Sequence, residues 1–129
     1  MKKLLKVILI VFIVIVIIGS GALLYITRGL ESGKNLSINK INLEEIEDGI
    51  YKGRYEAGRW SNEVQVEIVD NRINSISIVD DIMLSQPEVR EEVFKRVLDK
   101  QNLDVDIISE ATVTTKAYLK SIEVALNWE

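Results

Sequence analysis

Between Asn62 and Val69 polar and apolar positions alternate strictly, with Val64, Val66 and Ile68 on one face and Glu63, Gln65 and Glu67 on the other. A period of two marks a strand with one buried face. Asp70-Asn71 then reads as a hairpin turn, and Arg72 to Val79 as the returning strand, with Ile73, Ile76 and Ile78. The apolar parity slips between Ile73 and Ile76, which predicts a bulge or a late strand start. Upstream, the turn signal Asp48-Gly49 opens a further strand, Ile50 to Tyr55, with Gly53 inside it. Beyond the strands the period lengthens. Val89, Val93, Phe94, Val97 and Leu98 make one helical stripe that ends near Lys100. Ser85 with Glu88 fits a capping box ahead of it, and Pro87 suits its first turn. A second helix is predicted over Lys116 to Asn127, burying Ala117, Tyr118, Ser121, Ile122, Ala125 and Leu126, with Thr114 or Thr115 as its cap. Strands followed by helices predict an α+β domain, an antiparallel sheet with helices packed on one face.

The first part of the chain follows another pattern. Val7 to Ile26 carries no charge, and as a helix it would span roughly 30 Å, the thickness of a bilayer's hydrocarbon core. The run outlasts the apolar region of a cleaved signal peptide, about 7–15 residues. Leu23 to Ile26 continue it past the small residues Gly19 to Ala22, and no cysteine is present for a lipid anchor. An uncleaved transmembrane helix is therefore expected. Lys2, Lys3 and Lys6 precede it, which predicts a cytoplasmic N-terminus and an extracytoplasmic C-terminal domain at the cell membrane. Residues 28–45 are polar, with Gly29, Ser32, Gly33, Asn35 and Ser37, and read as a linker. The expected organisation is an anchor over 1–27, a linker over 28–45 and a domain over 46–129.

Charge and composition narrow the chemistry. With the three leading lysines set aside, 13 basic residues face 20 acidic ones, a net charge of −7 against −4 for the whole chain. That disfavours nucleic acid as a partner. Histidine and cysteine are both absent, which removes thiol chemistry, disulfides, thiolate metal sites and histidine-based catalysis. No acid–base pair or nucleophile points to substrate turnover, and no metal ligand set is expected. Tyr51, Tyr55, Trp60 and Tyr118 read as core residues and Met83 as a gap-filler. Asp80-Asp81 reads as a solvated loop, and Trp128 has no assigned role.

One stretch remains, DVDIISEATVTT at residues 104–115. Hydroxyl side chains at the start of a helix are most simply caps. They also suit an anion, because the first turn presents unpaired N–H groups and a partial positive charge. Local physics reaches a phosphate and stops there.

Asp106-x-x-Ser109-x-Ala111-Thr112-x-Thr114 resembles the D-x-x-[ST]-G-A-T-x-[ST] signature of the FMN-binding domain family. The opening strands, with Asp48, Gly49, Tyr51 and Gly53, the GRWSN segment at 58–62, and the closing helix KAYLKSIEVAL are similar to that family in order and spacing. The family includes flavin-bearing subunits of sodium-pumping NADH–quinone reductases and of Rnf-type electron-transfer complexes. The resemblance implies FMN, held non-covalently or joined to Thr114 through a phosphoester made by a flavin transferase. It implies that Ser109, Ala111 and Thr112 surround the phosphate, and that Asp106 serves the transferase. It further implies a membrane-anchored electron carrier working with redox partner proteins or a quinone-linked complex, rather than a stand-alone enzyme. Glu110 departs from the signature, which has glycine there. A side chain at that position resists positive φ, and its charge repels phosphate. The alternative expectation is therefore the same fold without FMN, acting as a tethered binding or regulatory module.

Overall fold

A computed structural model describes residues 1–28 and 30–127 of the chain, so Trp128 lies outside the described residues. Helix α1, Lys2–Thr27, buries none of its side chains and is long and apolar enough to cross a membrane. Helix α2, Leu30–Lys34, follows. Then come strands β1 (Gly49–Tyr55), β2 (Asn62–Val69) and β3 (Arg72–Asp80), and helices α3 (Pro87–Lys100) and α4 (Thr112–Leu126). The strands form one antiparallel sheet in the order β1-β2-β3. Val64, Val66 and Ile68 are fully buried beneath the helices, while Glu63, Gln65 and Glu67 between them stay partly open.

The β2–β3 hairpin takes its form from two residues. Asp70 and Asn71 have φ of +52° and +61°, the positive pair that a type I′ turn demands. Glu67 pairs with Ser75, but Ile68 pairs with Ile73, so Asn74 is the extra residue of a bulge. This is the parity slip in the sequence. The bulge returns Ile73 to the buried face, and Ile76 and Ile78 continue there half-buried.

Gly53 governs the helix layer. A Cβ built on it would lie 2.0 Å from the Ser121 carbonyl oxygen and 2.3 Å from the Ala125 nitrogen. The backbone of α4 therefore rests directly on β1. Asn62 ties the same helix to β2: its Nδ2 donates to the Ala117 carbonyl at 3.2 Å, and the Ser121 hydroxyl donates to the Asn62 carbonyl at 3.2 Å.

The far side of α4 is covered as well. Leu30, Ile38, Ile41 and Leu43 pack against the core from the stretch expected to be a linker, and Ile46 joins them from the start of the domain. Lys116 Nζ donates to the Lys34 carbonyl at 2.6 Å, and Glu123, 4% exposed, accepts from the Asn39 amide and pairs with Lys120. Sparse apolar residues among polar ones give no periodic signal, yet each packs against the core.

Two helix starts differ from expectation. The N-cap of α3 is Gln86, with no side-chain hydrogen bond, and Pro87 opens the helix; Ser85 instead donates to the Asp81 carboxylate. Helix α4 begins at Thr112 with Ala111 as its N-cap, so Thr114 and Thr115 lie inside it and cap nothing. The expected buried stripe of α4 is present in full. Met83 is not a gap-filler: it is about half exposed on the loop before α3.

Gly53→Ala should cost about 3 kcal/mol, because the only relief is to lift α4 off the sheet. Gly19→Ala, where nothing lies within 4 Å of the new carbon, should leave stability unchanged. Thermal unfolding of the detergent-solubilised chain reads both.

Candidate functional site

The chain reaches α4 through a reversal. Glu110 has φ of +65°, and the Ala111 amide donates back to the Ile108 carbonyl at 3.0 Å. Glycine at the family position would take this conformation without strain; glutamate takes it at a cost of about 1–2 kcal/mol. The helix then starts, with Thr112 exposed, Thr114 half-buried and Thr115 fully buried. Thr115 Oγ1 is buried with no hydrogen-bond partner among the described residues.

Opposite this turn stands the tight turn Gly58–Trp60. Gly58 enters it at φ of +58°, with the end of α1 against it: a Cβ there would sit 2.9 Å from the Arg28 carbonyl oxygen. Ser61 locks the turn, its hydroxyl donating to the Gly58 carbonyl at 2.8 Å and accepting from the Ala57 amide at 2.9 Å. Asn62 Nδ2 donates to the Trp60 carbonyl at 3.1 Å, so the residue that holds α4 also holds this turn. Trp60 is buried, and the Arg59 guanidinium lies over its ring at 4.1 Å. The Met83 amide donates to the Arg59 carbonyl at 3.0 Å.

Between these parts lies an open cavity of about 300 Å³, lined by Leu30 and Lys34 of α2, by Arg59 and Trp60, and by Glu110 to Thr114. The structure thus brings Ala111, Thr112 and Thr114 together. Ser109 is exposed and does not line the cavity. Asp106 lines a separate cleft with Arg96 and Lys100, and its carbonyl accepts from Arg96 at 2.9 Å. Lys34 and Arg59 escaped the sequence reading; the GRWSN segment could have pointed to Arg59, but nothing local marks Lys34. Two cations and a helix N-terminus against one carboxylate make a region suited to a phosphate monoester.

The aromatic residues and the acidic pair also find their places. Tyr118 is fully buried and meets Phe94 edge-on at 5.7 Å; Tyr51 and Tyr55 are half-buried. Asp80 pairs with Arg54 at 2.9 Å. Asp81 is not a solvated residue. It accepts from the Tyr118 hydroxyl at 2.6 Å and the Ile82 amide at 2.8 Å, and pairs with Arg90. Partial burial pushes its carboxyl up, but hydrogen bonds from Tyr118, Ile82, Arg90 and Ser85 outweigh this and hold it below the usual carboxylate range. Burial, then the bond to Asp81, keeps the Tyr118 phenol protonated well above its ordinary range.

The sequence model of the FMN-binding domain family matches residues 58–127. An uncharacterised protein of Treponema pallidum (strain Nichols) is 30% identical over 90 residues, 67% of this chain, and the chain spans about a quarter of that relative's length. The crystal structure of a Clostridium perfringens protein superposes with a TM-score of 0.50 at 17% identity, over 64% of this chain and 87% of that one. At that identity the likeness concerns the fold alone.

The strain at Glu110 is separable from its charge. Glu110→Gly and Glu110→Ala both remove the carboxylate, but only glycine relieves the positive φ. Glu110→Gly should be the more stable by about 1 kcal/mol, the reverse of the usual order of glycine and alanine. Equal melting temperatures for the two variants would contradict the left-handed assignment.

Proposed function

Because the chain belongs to the FMN-binding domain family, whose cofactor is FMN, we propose that it is a membrane-anchored, extracytoplasmic electron carrier. FMN is held at the first turn of α4, with Thr114 as the residue of attachment when the bond is covalent. The observation that carries this reading is the cavity that joins Thr112 and Thr114 to Arg59 and Lys34. The residues fit the phosphate end of the cofactor: free N–H groups of a helix start, two hydroxyls, and the buried Arg59 Nε with no partner among the described residues. The cavity sits at the lower edge of the roughly 300–1,000 Å³ typical of small-molecule sites, so it suits the phosphate end rather than the whole flavin.

Bound FMN supplies the electron-transfer chemistry; the chain supplies binding and orientation. Thr114, half-buried on a helix packed on both sides, offers its hydroxyl in a fixed place. Thr112 and the first-turn amides suit the phosphate oxygens. Anchoring rests on α1 and its leading lysines, and redox proteins or a quinone-linked complex would be the partners. A second reading is favoured by Glu110, which lines the cavity: the same fold without FMN, serving as a tethered binding or regulatory module.

Co-expressed with a flavin transferase, the chain should carry flavin fluorescence through a denaturing gel. Thr114→Ser should retain the label, and Thr114→Val should lose it while still folding. Label that survives Thr114→Val would move the attachment elsewhere. A wild type that stays unlabelled and binds no FMN reversibly, beside a Glu110→Gly variant that takes up label, would support the second reading.

A reporter fused after Glu129 should be active only outside the cytoplasm, with the protein retained in salt-washed membranes. Cytoplasmic activity would reverse the orientation.

A further inference from the structure

The family signature accounts for the threonines but not for the two cations beside them. Arg59 comes from the turn before β2, and Lys34 from α2, the first helix after α1. Both line the cavity with Thr112 and Thr114. Neither takes part in an ion pair among the described residues. Arg59 is fixed in advance: its guanidinium lies on the Trp60 ring, its carbonyl accepts from Met83, and its Nε is buried with no partner among the described residues. A planar guanidinium with an unused donor matches a phosphate in both shape and charge. Lys34 is placed by the packing of α2 on α4: a Cβ on Gly33 would lie 2.6 Å from Val113 Cγ1, and Lys116 holds the Lys34 carbonyl.

We propose that Arg59 and Lys34 form a phosphate clamp that selects FMN over riboflavin, and that the segment leaving the membrane helix is a wall of the flavin site. This rests on the FMN reading above. The clamp explains how a site with glutamate in the glycine position still presents a net positive face. A phosphate monoester carries about −1.5 to −2 at neutral pH, which two cations and a helix start offset despite Glu110. It also gives residues 30–34 a role that composition hides, because Leu30 and Lys34 of α2 line the cavity together with the GRW turn.

The test uses the full chain in detergent, produced without a flavin transferase and titrated with FMN and with riboflavin, followed by flavin fluorescence. Wild type should prefer FMN, and added salt should weaken FMN but not riboflavin. Arg59→Gln and Lys34→Gln should each weaken FMN about tenfold and leave riboflavin unchanged. Arg59→Lys, which keeps the charge and the packing stem, should show a smaller loss of FMN and covers the case in which Arg59→Gln fails to fold. Equal losses for both flavins, or no loss for either, would overturn the clamp while leaving FMN binding intact. A wild type that binds neither flavin would remove the FMN reading and the clamp together.

Discussion

The backbone of α4 rests on Gly53, and the rest of the domain is arranged around that contact. A helix can lie so close to a strand only where both surfaces are small. Ala117, Ser121 and Ala125, one helical turn apart, provide this on the helix side. The approach brings Asn62 within reach of the Ala117 and Trp60 carbonyls together. One buried amide side chain thereby sets the GRW turn against the start of α4. The cavity walls are positioned by a packing contact well away from the cavity itself.

The fold was legible wherever one face of an element is buried and the other wet. Val64, Val66 and Ile68 declared β2, the parity slip declared the Asn74 bulge, and Asp70-Asn71 declared its turn. Legibility failed where partners are distant in sequence. Leu30, Ile38, Ile41, Leu43 and Ile46 look like isolated apolar residues in a polar stretch because the core they pack against is built from elements far along the chain. Ser85 has the spacing of a capping box, but the Asp81 carboxylate offers its hydroxyl a stronger acceptor than a backbone amide offers as donor. Thr114 and Thr115 look like caps, yet Ala111 ends the preceding turn and the helix begins before them. The site was half legible. The motif led to Ala111, Thr112 and Thr114, which share the cavity; the spacing could not tell that Ser109 and Asp106 point to other surroundings. Arg59 was marked only by its place in the GRWSN segment, and Lys34 carried no signal because basic residues on a surface are ordinary.

Glu110 shows local preference and global fold in conflict. The chain must reverse between Ile108 and Thr112, and the reversal needs a left-handed residue whatever stands there. The structure accepts the strain because Ala111 and Val113 are buried on one side of the reversal and fix its path. Glu110 lines the same cavity as Arg59 and Lys34, and the polarity of the cavity depends on which of these charges lies nearer a ligand.

Helix α4 is covered by the sheet below and by the stretch from Leu30 to Ile46 above. An exposed helix frays from its ends at little cost, but this first turn cannot open unless α2 lifts away and Val113 leaves its pocket. Local opening of this turn is costlier than fraying of an exposed helix end. A group held at Thr112 or Thr114 would therefore sit on a turn braced from both sides.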